Sequence, residues 1–201
     1  MLNVAVVGIG WWGQTLITLM KKSPKFNVVK GVKRNPATAG DFAREQGLEI
    51  IADYAAVLRD PGVDAVVLCT PHAQHTAQVI AAAQAGKHVF CEKPLSLTRA
   101  DVLRAISSVN ANKIVLAVGH ERRFEPPILD VMRTIKSGEL GTPLQIEANF
   151  SQDKFLTLPA DNWRLTAAEA PAGPLTATGI HILDLAVGVF GEAESVLCSV
   201  K

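Results

Sequence analysis

The sequence predicts an α/β fold in which a doubly wound parallel sheet comes first and an incomplete α+β domain follows. The sheet is predicted because short apolar runs alternate with segments of helical periodicity over residues 1–119, and parallel strands need such crossovers between them. The second domain is predicted because a proline-led helix and an alternating apolar–polar segment appear within residues 120–201. We therefore expect two domains with their boundary after residue 119.

Six short apolar runs are predicted as the strands of the sheet, since continuous apolar runs are typical of strands buried on both faces. They span residues 2–8, 26–32, 48–51, 63–70, 87–92 and 113–119. Helices are predicted between them at residues 13–22, 36–47, 53–60, 73–86 and 98–112. Three signals mark helix ends: Asp53 is a candidate N-cap, Thr98 and Asp101 have capping-box spacing, and Gly47 is a stop.

The second domain is predicted to be short of strands. Its elements are a helix over residues 126–138, a strand over 142–150, a polar stretch over 151–174, a helix over 175–185 and a strand over 194–201. Two strands make a marginal sheet. We therefore expect either that a partner chain supplies further strands or that the chain is a fragment of a longer protein.

Composition excludes several classes of function. A net charge of +1 gives no reason to expect nucleic acid or an anionic membrane as a partner, and no apolar run reaches the roughly 18 residues of a membrane-spanning helix. The apolar start of the chain reads as a strand rather than a signal peptide. Cys69, Cys91 and Cys198 are widely spaced and odd in number, which argues against a zinc motif or a disulfide framework. We expect a cytoplasmic protein with reduced thiols and no metal.

A glycine-rich loop joins the first predicted strand to the first helix. "VVGIGWWG" contains Gly8-x-Gly10-x-x-Gly13 in the strand–turn–helix context of the Rossmann dinucleotide fingerprint. The first glycine permits the tight turn, the second lets backbone approach a pyrophosphate, and the third lets helix and strand pack closely. We include Ile9 and Trp12 in this candidate cofactor site. The alternatives are a generic tight turn and, for Trp12, core packing.

Two basic residues follow the second strand. Lys33 and Arg34 stand where an NAD-binding chain would carry an acidic residue for the ribose hydroxyls. Cations in this position suit a 2′-phosphate. We expect the cofactor to be NADP, with NAD possible, and a solvated basic turn is the alternative.

The stretch "CEKP" follows the fifth strand, at the edge of the sheet where ligands bind in open α/β folds. A lysine there can donate a proton or a hydrogen bond to a substrate oxygen. The alternative for such a loop lysine is a solvated charge.

Five motifs together extend this interpretation. "VVGIGWWG", "TPHAQH", "AGKHVFCEKPLS", "GHERRFEP" and "GIHILD" occur in this order, and the chain as a whole resembles the Gfo/Idh/MocA family of nicotinamide-dependent oxidoreductases. The resemblance implies a small-molecule substrate such as a sugar, a polyol or a related compound. It also implies hydride transfer between nicotinamide and a carbinol or carbonyl carbon, and association of chains through the second-domain sheet.

The resemblance assigns residues to the cofactor. Thr70, Pro71 and His75 match a stretch that lies beside it. Glu92 belongs to the same site, and Lys93 lies near both nicotinamide and substrate. From the residues alone, a helix cap followed by a histidine on a helix surface is the favoured interpretation of the first three.

The resemblance also assigns residues to the substrate. His181 is the natural proton carrier and Lys93 the natural cation for the substrate oxygen. Arg123, Trp163 and Arg164 are candidate substrate contacts, with ion pairs or packing as alternatives. Asp184 is a further candidate, which orients His181, caps a loop or pairs with Arg164.

One position departs from the family pattern. The pattern is D-x-x-x-H-x-x-D, and this chain has Ala177 in the first place, before His181 and Asp184. Three interpretations therefore stay open: an NADP-dependent oxidoreductase that works without this aspartate, a non-catalytic NADP-binding regulator or sensor, and a divergent enzyme with other chemistry such as redox-assisted elimination.

Overall fold

The computed structural model describes residues 1–199, and the chain divides into two compact units, Met1–Gly119 and His120–Lys201. No helix in the described part of the chain combines the length and apolar character needed to span a membrane.

The first unit is built on one parallel sheet of six strands, as predicted. The strands are β1 (Leu2–Val7), β2 (Phe26–Val32), β3 (Glu49–Ile51), β4 (Ala65–Leu68), β5 (His88–Glu92) and β6 (Leu116–Gly119). Their order is β3-β2-β1-β4-β5-β6. The chain therefore winds outwards from β1 in one direction and from β4 in the other, and the two halves meet at the β1–β4 pair. In open sheets of this kind, ligands bind outside the carboxyl ends of the strands at that switch point.

Five helices cross over between the strands. They are α1 (Trp11–Met20), α2 (Gly40–Gln46), α3 (Tyr54–Arg59), α4 (His75–Gln84) and α5 (Arg99–Ala111), with 3-10 turns at Pro36–Ala39 and His72–Gln74. The predicted helix signals are confirmed. The Asp53 carboxylate accepts a hydrogen bond from the Ala55 amide, and the Thr98 hydroxyl accepts one from the Asp101 amide. Gly47 ends α2 in the left-handed conformation, with φ of 54°.

The core lies on both faces of the sheet. Along β1, Val4 and Val6 join one buried cluster and Ala5 and Val7 join the other, because successive strand residues point to opposite faces. Both faces are apolar, so each must be covered by helices. This explains why the strands read as continuous apolar runs.

The second unit contains helices and turns. Its α-helices are α6 (Pro126–Lys136) and α7 (Ile180–Phe190), with 3-10 turns at Glu121–Phe124, Lys154–Thr157 and Trp163–Leu165. A π-helical turn, Leu175–Gly179, leads directly into α7. The helix predicted over residues 175–185 therefore begins as a wider turn than expected.

Neither strand predicted for this unit is formed in the described residues. Residues 142–150 and 194–199 carry no strand hydrogen bonding and are mostly exposed, and the rest of the last predicted strand, residues 200–201, lies outside the described part. A strand exists only when a neighbour pairs with its backbone. Among residues 120–199 no such neighbour is present, so alternating polarity alone was not enough.

Candidate functional site

The glycine loop occupies the turn between β1 and α1. Gly8 has φ of +97°, and a Cβ there would lie 2.6 Å from the Cys69 carbonyl oxygen. A Cβ on Gly13 would lie 2.2 Å from the Gly8 carbonyl oxygen. No side chain fits at either position, so these two glycines are required by the close packing of the turn.

Gly10 is different, because a Cβ there would meet no atom within 4 Å. It is the N-cap residue of α1, and no side chain caps the helix there. The first backbone amides of a helix have no partner within it and attract anions. The open space beside Gly10 therefore fits a pyrophosphate. The Ile9 side chain is fully buried in the core, which leaves only its backbone for such a ligand.

Trp12 is tied to the end of β5. Its indole Nε1 donates a hydrogen bond of 2.6 Å to the Glu92 Oε1 atom. Glu92 is only 9% exposed, and a Cβ on Gly119 would lie 2.9 Å from the same oxygen. The bare Gly119 on β6 thus leaves room for the carboxylate. Trp12 and Glu92, both predicted cofactor residues, are brought together, although the sequence did not indicate that they contact each other.

His75 connects two loops at the carboxyl edge of the sheet. Its ring is fully buried, with Nδ1 2.7 Å from the Pro94 carbonyl oxygen and Nε2 2.9 Å from the Thr70 carbonyl oxygen. The structure therefore contradicts the idea of a histidine on a helix surface. His75 links the Thr70–Pro71 turn after β4 to the half-buried Lys93 after β5, where the Lys93–Pro94 peptide bond is cis.

Lys33 and Arg34 follow β2 at the same edge. The Gly8 amide donates to the Val32 carbonyl oxygen at 2.9 Å, so the basic pair begins beside the glycine loop. The Lys33 Nζ atom lies 3.4 Å from the Thr38 carbonyl oxygen, and Arg34 is exposed. Both cations are accessible to a ligand bound along this edge.

The half-buried Cys69 and the buried Cys91 lie in surroundings that disfavour the thiolate. Burial raises the pKa of the Cys69 and Cys91 thiols, and the Glu92 carboxylate adds to the rise in both. The thiolate is the reactive form, so these side chains pack as small apolar groups. Among the described residues, no cluster of His, Cys, Asp and Glu could hold a metal ion.

In the second unit, Asp184 is held by Arg123. The Arg123 Nε donates to Asp184 Oδ2 at 2.5 Å and Nη2 donates to Oδ1 at 2.8 Å. This hydrogen-bonded carboxylate raises the pKa of Arg123. The His120 Nδ1 atom lies 3.7 Å from Asp184 Oδ2. Asp184 therefore pairs with Arg123, and the pairing with Arg164 considered from the sequence is wrong.

His181 faces a different acid. Its side chain is 7% exposed, and Nε2 lies 3.8 Å from the Glu121 Oε1 atom. The His120 ring stands nearly perpendicular to the His181 ring, with centroids 6.2 Å apart. Sequence reasoning missed Glu121, although it lies inside the quoted motif "GHERRF". The only signal available was an acidic residue within a basic motif.

Trp163 and Arg164 pack against each other. The Arg164 guanidinium carbon lies 4.1 Å from the centroid of the Trp163 ring, a cation–π arrangement. Burial lowers the pKa of Arg164. The structure thus shows packing between these two side chains, and their predicted contact with substrate stays a prediction.

The doubly wound sheet and the glycine loop define a dinucleotide-binding α/β protein. Residues 2–120 match the model of the oxidoreductase family with an NAD-binding Rossmann fold, and residues 128–201 match the Gfo/Idh/MocA C-terminal domain. The chain belongs to the Gfo/Idh/MocA family of oxidoreductases.

Two of the similar proteins are named as dehydrogenases of levoglucosan and of inositol. The chain is 30% identical to levoglucosan dehydrogenase of Pseudarthrobacter phenanthrenivorans, with 97% of this chain and 53% of that protein covered. It is 32% identical to inositol 2-dehydrogenase 1 of Saccharopolyspora erythraea, with 91% and 52% covered. The chain thus spans about half the length of these relatives.

Solved structures of similar proteins agree with the family assignment. Levoglucosan dehydrogenase in complex with NADH and levoglucosan superposes with a TM-score of 0.83 at 27% identity, covering 95% of this chain and 54% of that one. An NAD-binding oxidoreductase from Klebsiella pneumoniae gives a TM-score of 0.85 at 25% identity, covering 94% and 53%.

Proposed function

We propose that this protein transfers hydride between a nicotinamide cofactor and a CH–OH or C=O group of a sugar, a polyol or a sugar derivative. The observation that carries the proposal is the open space beside Gly10 at the start of α1, which fits a pyrophosphate. The names of the inositol and levoglucosan dehydrogenases support the substrate class.

The chemistry divides between two side chains. Bound nicotinamide supplies the hydride donor or acceptor. We propose that the Lys93 ammonium holds the substrate oxygen and stabilises negative charge as it develops there. We propose that the His181 imidazole accepts the hydroxyl proton, since imidazole changes charge near neutral pH. Arg123, Trp163, Arg164 and Asp184 are kept as candidate substrate contacts.

A substrate panel tests this proposal. The protein, loaded in turn with oxidised NAD and NADP, is given inositols, levoglucosan and related sugars, and the absorbance of reduced nicotinamide is followed. We expect an increase with at least one of these substrates. Bound cofactor that stays oxidised with every compound would refute dehydrogenase activity on this class and favour the non-catalytic, NADP-binding interpretation that Ala177 suggests.

We further propose that NADP is preferred over NAD, on the strength of the accessible Lys33 and Arg34 beside the glycine loop. Removing both cations in the variant Lys33→Ala/Arg34→Ala is expected to weaken NADPH binding about 10- to 100-fold, the usual effect of losing charge-assisted hydrogen bonds. Binding of NADH should change little. Titration of cofactor fluorescence measures both dissociation constants.

Lys22→Ala/Lys25→Ala is the control that removes the same number of charges, because both are exposed lysines between α1 and β2 in the same unit. It lowers the net charge without touching the turn after β2, and it should leave both dissociation constants unchanged. Tighter binding of NADH than NADPH by the unmodified protein would overturn the preference.

Two further expectations stay proposals. A cytoplasmic location is supported by Cys69 and Cys91, which are free thiols. Association of chains through the second unit is supported by residues 142–150, which form no strand within the described chain and are mostly exposed, so that their backbone is open to pairing with another chain.

A further inference from the structure

The acid that faces His181 comes from a distant part of the second unit. Ala177 leaves no carboxylate at the first position of the D-x-x-x-H-x-x-D pattern. The 3-10 turn Glu121–Phe124 instead places the Glu121 Oε1 atom 3.8 Å from the His181 Nε2 atom. This is an ion-pair distance, longer than a hydrogen bond. The Glu121 carboxylate therefore faces the Nε2 atom of His181.

The other acid near His181 is already engaged. Asp184 lies three residues further along α7, but its carboxylate makes two hydrogen bonds to Arg123 and lies 3.7 Å from His120 Nδ1. Its side chain is only 13% exposed. A carboxylate bound in this bidentate manner is fixed in orientation. Asp184 therefore pairs with Arg123 and lies near His120. Glu121 is the acid that faces His181.

Phe150 and Arg122 also lie near His181. The Phe150 ring centroid lies 6.4 Å from the imidazole centroid, and the Arg122 guanidinium carbon lies 4.9 Å from the centroid of the Phe150 ring. Arg122 also lies 3.9 Å from Glu121 Oε1, while its Nη1 donates to the Glu125 carboxylate at 2.6 Å. The shortest contact of Arg122 is therefore with Glu125, and Glu121 lies at ion-pair distance from His181.

We propose that Glu121 is the positioning carboxylate of His181 and replaces the acid that Ala177 lacks. The inference rests on the proposed function. In this proposal His181 accepts the substrate hydroxyl proton. The O–H bond breaks, the oxygen electron pair forms the carbonyl, and the hydride leaves the carbon for oxidised nicotinamide. The imidazolium formed is stabilised by the facing carboxylate.

Glu121→Gln tests the proposal, because it removes the charge and keeps the shape. In the protein without substrate, the titration midpoint of His181, followed by NMR of its ring protons, is expected to fall, since a nearby carboxylate favours imidazolium. In the active enzyme, kcat should fall about 10- to 100-fold with a smaller change in KM. Adding Ala177→Asp to the Glu121→Gln variant should partly restore the His181 titration midpoint and kcat. Ala177→Asp alone should change both of these values little.

Glu125→Gln is the matched control, because it removes the same charge from the neighbouring residue that Arg122 holds. It should leave the His181 midpoint unchanged. A midpoint that is the same in Glu121→Gln as in the unmodified protein overturns the proposal, as does an equal shift in Glu125→Gln. If no substrate is turned over by any variant, the proposed function fails, and the NMR titration still decides whether Glu121 governs His181.

Discussion

Replacing Lys93 with alanine is expected to lower kcat by about 10²- to 10³-fold, the usual effect of removing a donor from a developing oxyanion. The side chain stands half-buried after β5, in the turn that His75 holds through the Pro94 carbonyl oxygen. Its loss removes the cation but leaves the glycine loop intact, so the cofactor dissociation constant should change much less. Steady-state kinetics and a cofactor titration measure the two effects.

The charge-conserving variant Lys93→Arg separates two roles. A guanidinium keeps the positive charge but cannot give up a proton in a protein. Partial activity in Lys93→Arg would assign electrostatic stabilisation to Lys93, whereas loss equal to that of alanine would assign proton donation. Unchanged kcat in Lys93→Ala would remove Lys93 from the catalytic machinery.

Replacing His181 with asparagine is expected to lower kcat by about 10²- to 10⁴-fold, the range for loss of a general base. The reaction direction sets the sign of the pH dependence. Alcohol oxidation needs neutral imidazole, so the rate of the unmodified protein should rise with pH as His181 loses its proton and then level off. Asparagine does not titrate, so that rise should be lost.

The pH–rate profile is therefore the decisive measurement for His181. Asparagine is polar and close in size to the ring, and His181 lies in α7 beside the π-helical turn, so thermal unfolding should be measured alongside. A variant that keeps both its rate and its rise with pH would show that another group takes the proton.

Local features of the fold were predictable because neighbouring residues determine them. The apolar runs predicted every strand of the sheet, and Asp53 and Thr98 cap their helices as expected. The strand predicted over residues 142–150 is not formed. Alternating polarity indicates which side chains of a segment would face water, whereas a strand forms only when a partner backbone pairs with it.

In the candidate site, too, local features could be predicted and contacts between distant residues could not. The Gly8 and Gly13 positions could be read from spacing, because the turn itself demands them. Contacts between distant residues could not: Trp12 and Glu92 are 80 residues apart, and Arg123 and Asp184 are 61 apart. Glu121 was missed for this reason, since only the folded second unit brings it to His181.

The three glycines of the loop are constrained by the structure in different ways. Gly8 and Gly13 are enforced by folding, since any side chain would strike backbone atoms. A Cβ on Gly10 would meet no atom within 4 Å, so the packing of the turn would accept a side chain at this position. Any requirement for glycine at position 10 therefore comes from a bound ligand rather than from folding.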